Sequence, residues 1–205
     1  MSLVFYAAPA SSSSPVACAL LELGVPHERI NLDLPAREQR KPEFLALNPN
    51  GKVPTLVIDG TPLFEALAIL HWLGDEYGIE KGLWPARGTP ARLRALSWTT
   101  WAYVTYGGAL QRLVHSSSER IPAERHNAAL AAATKEELQQ LLGLLDAQLA
   151  GQPYLLGSAF SLADLILCSV VNYGVYCGAS AQAHPALTRW LERCGSRPSL
   201  RSQWI

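Results

Sequence analysis

Residues 48–64 read Asn48-Pro49-Asn50-Gly51-Lys52-Val53-Pro54-Thr55-Leu56-Val57-Ile58-Asp59-Gly60-Thr61-Pro62-Leu63-Phe64. Asp59-Gly60 lies between two apolar runs. That pair serves the two central positions of a tight hairpin turn, which need positive φ. The stretch 53–64 is therefore expected to be a β-hairpin. Upstream, Leu3-Val4-Phe5-Tyr6 is a short apolar run ending at Ala7-Ala8-Pro9, the pattern of a buried strand. Ser11-Ser12-Ser13-Ser14-Pro15 follows, and serine and proline favour the cap and first position of a helix. Val16, Leu20 and Leu23 carry that helix to a stop at Gly24. His27 to Leu32 reads as a second, more polar strand, and 42–47 as a short helix. Downstream, Glu65 opens a helix with Leu67, Leu70, Leu73 and Tyr77 at helical spacing. The order β-α-β-α-β-β-α predicts an α/β unit, a mixed four-stranded sheet with helices on its faces.

Gly78, Gly82, Pro85 and Gly88 cluster in one short stretch, a linker composition. The expected organisation is a first domain over 1–78, a linker over 79–89 and an all-helical bundle domain over 90–205. In the latter, a long helix from Pro90 to about His115 bends at Gly107-Gly108. A second runs from about Pro122 to Leu149. Ser161-Leu162-Ala163-Asp164 heads a third with a capping-box pattern, and His184-Pro185 heads a fourth ending near Cys194-Gly195.

Composition narrows the function classes. The 205 residues carry 17 Lys+Arg against 17 Asp+Glu, and hydrophobic residues make up 49%. That is too apolar and too uncharged for a disordered chain. It also lacks the basic surplus that nucleic-acid binding requires. The zero sum hides a division: residues 1–80 hold 5 basic and 10 acidic residues, and 81–205 hold 12 basic and 7 acidic. Opposite charge in the two halves fits two domains with different surfaces. No apolar run is long enough to cross a membrane, and Met1 to Pro15 lacks the basic start of a signal peptide. Cys18, Cys168, Cys177 and Cys194 form no C-x-x-C and no metal-ligand spacing. A reduced, cytoplasmic protein without a metal is the expectation.

Asn48-Pro49-Asn50-Gly51-Lys52-Val53-Pro54-Thr55-Leu56 resembles the N-P-x-G-K-V-P-x-L stretch of the cytosolic glutathione S-transferase superfamily, bacterial type. Phe64-Glu65-Ala66-Leu67-Ala68-Ile69-Leu70 resembles the segment with which that family holds the γ-glutamyl end of glutathione. Phe160-Ser161-Leu162-Ala163-Asp164 resembles its second-domain capping motif, and Leu83-Trp84-Pro85 falls where its linker would. The resemblance covers essentially the whole chain. It implies a thioredoxin-like first domain, a helical second domain, a homodimer and a role in detoxification. It further implies a glutathione site on the first domain and a site for a small hydrophobic electrophile between the domains. In a dimer of this kind the first domain of one subunit faces the second domain of the other.

The chemistry requires a thiolate, yet a free thiol has a pKa of about 8.5 and is mostly protonated at neutral pH. A hydroxyl donor at a helix N-terminus, aided by the helix dipole, stabilises the anion. By resemblance the donor lies in the serine loop, as in a serine-class site. Counting back from Gly24 favours Ser11 or Ser12, with Ser13 a third candidate. Tyr6 is the rival, since some classes use a tyrosine near the first strand, but it lies within the strand and too early for the loop. The resemblance implies a cis Val53-Pro54 bond whose Val53 N–H and C=O pair with the cysteinyl backbone of glutathione. It implies that Glu65 pairs with the γ-glutamyl ammonium and that backbone N–H groups at Ala66 receive its carboxylate. Most relatives have serine where Ala66 stands, so one hydrogen bond is missing. Lys52 is the best placed of Lys52, Lys41, Gln39 and Arg40 to receive the glycyl carboxylate. Trp101, Tyr103, Thr105, Tyr106, Tyr173 and Tyr176 are pocket candidates for the electrophile. Other readings are a glutathione-dependent reductase, isomerase or dehalogenase, and a non-catalytic ligand-binding or protein-interaction scaffold.

Overall fold

The computed structural model describes residues 1–119 and 121–201. It forms two compact units, one of Met1–Ala86 joined by the segment from Arg197, the other of Arg87–Ser196. In the first unit the elements are β1 (Leu3–Ala7), α1 (Ser14–Leu23), β2 (Glu28–Asn31), α2 (Pro42–Leu47), β3 (Thr55–Ile58), β4 (Thr61–Phe64) and α3 (Ala66–Leu73). The sheet order is β2-β1-β3-β4. β1 and β2 are parallel, and the other two pairings are antiparallel. Asp59 (φ 45°) and Gly60 (φ 83°) both take positive φ in the β3–β4 turn, the conformation the Asp-Gly pair predicts.

Alternation along β1 buries Leu3, Phe5 and Ala7 completely or nearly so. They share a core with Val16, Leu20 and Leu23 of α1, Leu56 of β3, and Ile69, Leu70 and Leu73 of α3, all buried. Tyr6 points to the opposite face, as period-two side chains must, and joins Phe44 of α2, Ala8 and Val53. Gly24 ends α1 at φ 60°, where a Cβ would be strained. Strand β3 begins at Thr55 rather than Val53, because the Lys52 and Val53 carbonyls accept from the Asn48 and Ser12 side chains and Pro54 has no N–H for a ladder.

The segment from Arg197 includes α9 (Pro198–Arg201) and is held to α1: Arg197 pairs with the Glu22 carboxylate, and Ser199 donates its hydroxyl to it. The sequence reading groups these residues with the helices from Pro90.

The second unit holds α4 (Pro90–Trp101), α5 (Gly107–Ser117), α6 (Ala128–Leu149), α7 (Leu162–Tyr176) and α8 (Pro185–Gly195). Between α4 and α5 the chain stays helical through a wider, π-type stretch at Ala102–Tyr106, so the departure from α geometry precedes Gly107-Gly108 instead of falling on them. Helix α6 starts at Ala128, later than Pro122, because Asn127 caps it by accepting the Leu130 N–H at 2.9 Å. The core is built from Leu138, Leu142 and Leu145 of α6, the α7 run Leu162 to Cys168, and Leu187 and Trp190 of α8. Gly174 leaves a notch on α7: a Cβ there would lie 2.0 Å from the Tyr106 hydroxyl. Among the described residues no helix is long and apolar enough to cross a membrane.

Candidate functional site

The sheet register brings three loops to one end of the first unit. Tyr6 pairs with Thr55 and Thr55 with Phe64. The chain leaving β1, the chain entering β3 and the chain leaving β4 therefore meet at the same edge. These loops carry the serine run, Lys52-Val53-Pro54 and Glu65-Ala66.

The three serines occupy different environments. Ser13 is 1% exposed, and its hydroxyl oxygen lies 3.4 Å from the Ala8 N–H and 3.0 Å from Ser11 Oγ. Ser11 is half-buried and donates to the Ala8 carbonyl at 2.7 Å, while accepting the Ser13 N–H at 3.1 Å. Together they tie the end of β1 to the start of α1. Ser12 is exposed, and its hydroxyl donates across the loops to the Val53 carbonyl at 2.8 Å. Ser13 sits at the cap position of α1, yet none of its side-chain bonds caps the helix. The Val53–Pro54 bond is cis, as the resemblance implies. Tyr6 packs against the cluster of Ala8, Phe44 and Val53, its ring 5.6 Å from that of Phe44.

Glu65 adopts φ 72° and ψ 117° immediately before α3, a conformation costly for any residue with a Cβ and common where a ligand is held. Its side chain is exposed and has no partner among the described residues. Ala66 is buried at the first position of α3. Its methyl contributes no hydroxyl donor, so backbone N–H groups of the first turn are what this edge offers a carboxylate.

Around the glycyl-end candidates, Lys41 is spent on Glu38 at 2.7 Å, a contact that raises the lysine's pKa. Arg40 donates to the Asn50 carbonyl at 3.2 Å, and Gln39 to the Leu34 carbonyl at 3.4 Å. Lys52 is exposed, and its ammonium has no partner among the described residues. Gly51 takes φ 57°, and a Cβ there would come within 2.8 Å of the Gln39 carbonyl, so only glycine fits the turn that presents Lys52. One residue that sequence reasoning did not assign stands behind this loop: Asn48, 2% exposed, with three side-chain hydrogen bonds. Its Asn-Pro-x-Gly context was the available signal.

Chemically, the edge combines a hydroxyl donor beside a helix N-terminus, an unpaired carboxylate and an unpaired ammonium. That set suits a small zwitterionic peptide with an anion to stabilise. No group of three or more His, Cys, Asp or Glu side chains converges to hold a metal among the described residues. None of the four cysteines forms a disulfide; Cys18, Cys168 and Cys194 are buried and Cys177 is half-buried.

The family model for the glutathione S-transferase N-terminal domain matches residues 11–76, and that for the C-terminal domain matches 100–198. Glutathione S-transferase GstB of Escherichia coli is 34% identical over 194 residues, covering 91% of this chain and 89% of its own. The disulfide-bond oxidoreductase YfcG of the same organism is 30% identical over 207 residues, covering 95% and 90%. The structure of a sphingomonad glutathione S-transferase complexed with glutathione superposes with a TM-score of 0.82 at 32% identity, over 98% of this chain and 96% of the other.

Proposed function

The chain belongs to the cytosolic glutathione S-transferase superfamily, and from that premise we propose that it binds glutathione and activates its thiolate for attack on a small hydrophobic electrophile. The observation that carries the reading is Ser12, exposed at the start of α1 and bonded at 2.8 Å to the Val53 carbonyl beside the cis bond. Of the three serines Ser12 is the exposed one, whereas Ser13 is buried and Ser11 is half-buried and bonded to Ala8.

In this reading the Val53 carbonyl takes up the cysteinyl N–H of glutathione in place of Ser12. The released Ser12 O–H donates to the glutathione sulfur, and the N-terminus of α1 adds its dipole. Both favour the thiolate over the thiol, and each unit by which the pKa falls is worth about 1.4 kcal/mol. The Val53 backbone pairs with the cysteinyl backbone as an added strand does. Glu65 takes the γ-glutamyl ammonium, the N–H groups at Ala66 its carboxylate, and Lys52 the glycyl carboxylate. The thiolate electron pair then forms the bond to the electrophilic carbon as the leaving group departs with its own pair. We propose that the protein works as a homodimer in the reducing cytoplasm. Support for self-association comes from Leu93 of α4 and Val104 of the π-type stretch after it, each 67% exposed.

Calorimetry should show glutathione binding, and an activated halonitroarene should be conjugated. Ser12→Ala should lower kcat/KM about 10-fold or more, whereas Ser11→Ala should act mainly on stability. Full turnover by Ser12→Ala would overturn the assignment. The likeness to the disulfide-bond oxidoreductase YfcG favours one further reading, glutathione-dependent disulfide reduction. Product analysis separates it: a thioether product supports the transferase, and thiol release from a disulfide supports the reductase. Absence of binding at millimolar glutathione would favour a non-catalytic scaffold over both.

A further inference from the structure

Asn48 closes α2 and then gathers the loop that follows. Its N–H donates to the Phe44 carbonyl at 2.9 Å, and its own carbonyl accepts the Gly51 N–H at 2.9 Å. Its side-chain oxygen accepts the Asn50 N–H at 3.1 Å. Its side-chain amide donates to the Lys52 carbonyl at 2.7 Å and to Thr55 Oγ1 at 3.1 Å. One buried side chain thus grips the loop on both sides of Val53-Pro54.

The Lys52 bond has a directional consequence. The Lys52 carbonyl and the Val53 N–H belong to one planar peptide, and in a trans peptide these two groups point in opposite directions. The cis bond of this loop is the next one, Val53–Pro54. By drawing the carbonyl inward, Asn48 aims the N–H outward. The Val53 N–H has no acceptor among the described residues, although Val53 itself is only 8% exposed. A donor left unpaired there is costly unless a ligand or water takes it up.

We propose that Asn48 is a positioning residue: by holding the Lys52 carbonyl it orients the Val53 N–H as a donor for the backbone of the bound co-substrate. The inference rests on the glutathione reading above and adds the residue that sets the geometry of that site. Asn48 touches no reacting atom, so its loss acts on binding and leaves the chemical step.

The test uses the full chain. Asn48→Asp keeps the acceptor for Asn50 and removes both amide donors, and Asn48→Ala removes all three bonds. Either should raise the KM and the calorimetric Kd for glutathione about tenfold, with kcat at saturating glutathione held within about twofold. Thr55→Val removes the other amide acceptor and leaves the Lys52 anchor. It should cost thermal stability and leave the glutathione KM unchanged. An unchanged KM in Asn48→Asp, or an equal rise in Thr55→Val, overturns the proposal. Residual dipolar couplings of the Val53 N–H vector decide the matter without glutathione. A reoriented vector in Asn48→Asp supports the proposal, and an unchanged vector sinks it. Should the wild-type chain bind no glutathione, the functional reading fails, while these couplings still judge Asn48.

Discussion

Asp164 shows how much one buried side chain can anchor. Its carboxylate accepts the Leu155 N–H at 2.7 Å, the Ser161 N–H at 3.0 Å, the Ser161 hydroxyl at 2.9 Å and the Trp190 indole N–H at 2.9 Å. Burial pushes its pKa up, and the four donors pull against that rise without cancelling it. Asp164→Ala would strand all four donors inside the unit, a loss on the order of 3–5 kcal/mol by analogy with breaking buried polar networks. Denaturant titration should show a midpoint far below that of the wild type, and a shift worth under about 1 kcal/mol would contradict this account. Half of this residue's role could be read in advance. Ser161-x-x-Asp164 is a local pattern, so the cap at α7 was legible. Leu155 and Trp190 are brought to it by tertiary packing, which no spacing encodes. The serine loop is similar. Its place at a helix start was legible, but the division of labour among Ser11, Ser12 and Ser13 is set by Ala8 and Val53, the latter 41 residues from Ser12.

At the scale of elements, the sheet and its helices follow from periodicity and turn chemistry, and their ends follow from specific bonds. Helix α6 begins where Asn127 can cap it, and β3 begins at Thr55, the last residue that the Asn48 side chain holds. The docking of α9 on α1 escaped sequence reading because Glu22 and Arg197 are 175 residues apart. That junction carries a pH dependence. Burial alone would raise the Glu22 pKa, but the hydrogen bonds from Arg197 and Ser199 and the guanidinium charge outweigh it and leave it lowered. A carboxyl with a folded pKa below its unfolded value of about 4.3 stabilises the fold above that value. The contribution disappears as pH falls through the folded pKa. Arg197→Ala should therefore destabilise by about 1–2 kcal/mol at pH 7, given a partly buried charged hydrogen bond. Thermal melts of the two proteins should converge as the pH drops from about 5 toward 3. A gap that stays constant across that range would remove Glu22 from the explanation.

For the whole molecule, the balanced formal charge of 17 against 17 removes net repulsion between copies, since a protein near neutrality does not hold its like apart. The balance is uneven along the chain. Residues 1–80 are net acidic by about five charges, and 81–205 are net basic by the same amount. Two copies related by a two-fold axis can set the acidic half of one against the basic half of the other, so that each contact is made twice. Complementarity of this kind acts on partner choice and association rate, and it weakens as salt shortens the screening length from about 10 Å at 0.1 M to about 3 Å at 1 M. The exposed Leu93 and Val104 on and beside α4 would respond oppositely, because burial of apolar surface is not screened. Sedimentation equilibrium of the proposed homodimer between about 0.05 and 1 M sodium chloride separates the two forces. A dissociation constant that rises several-fold with salt means the charge division helps hold the pair together. One that is flat or falls assigns the association to the apolar face alone.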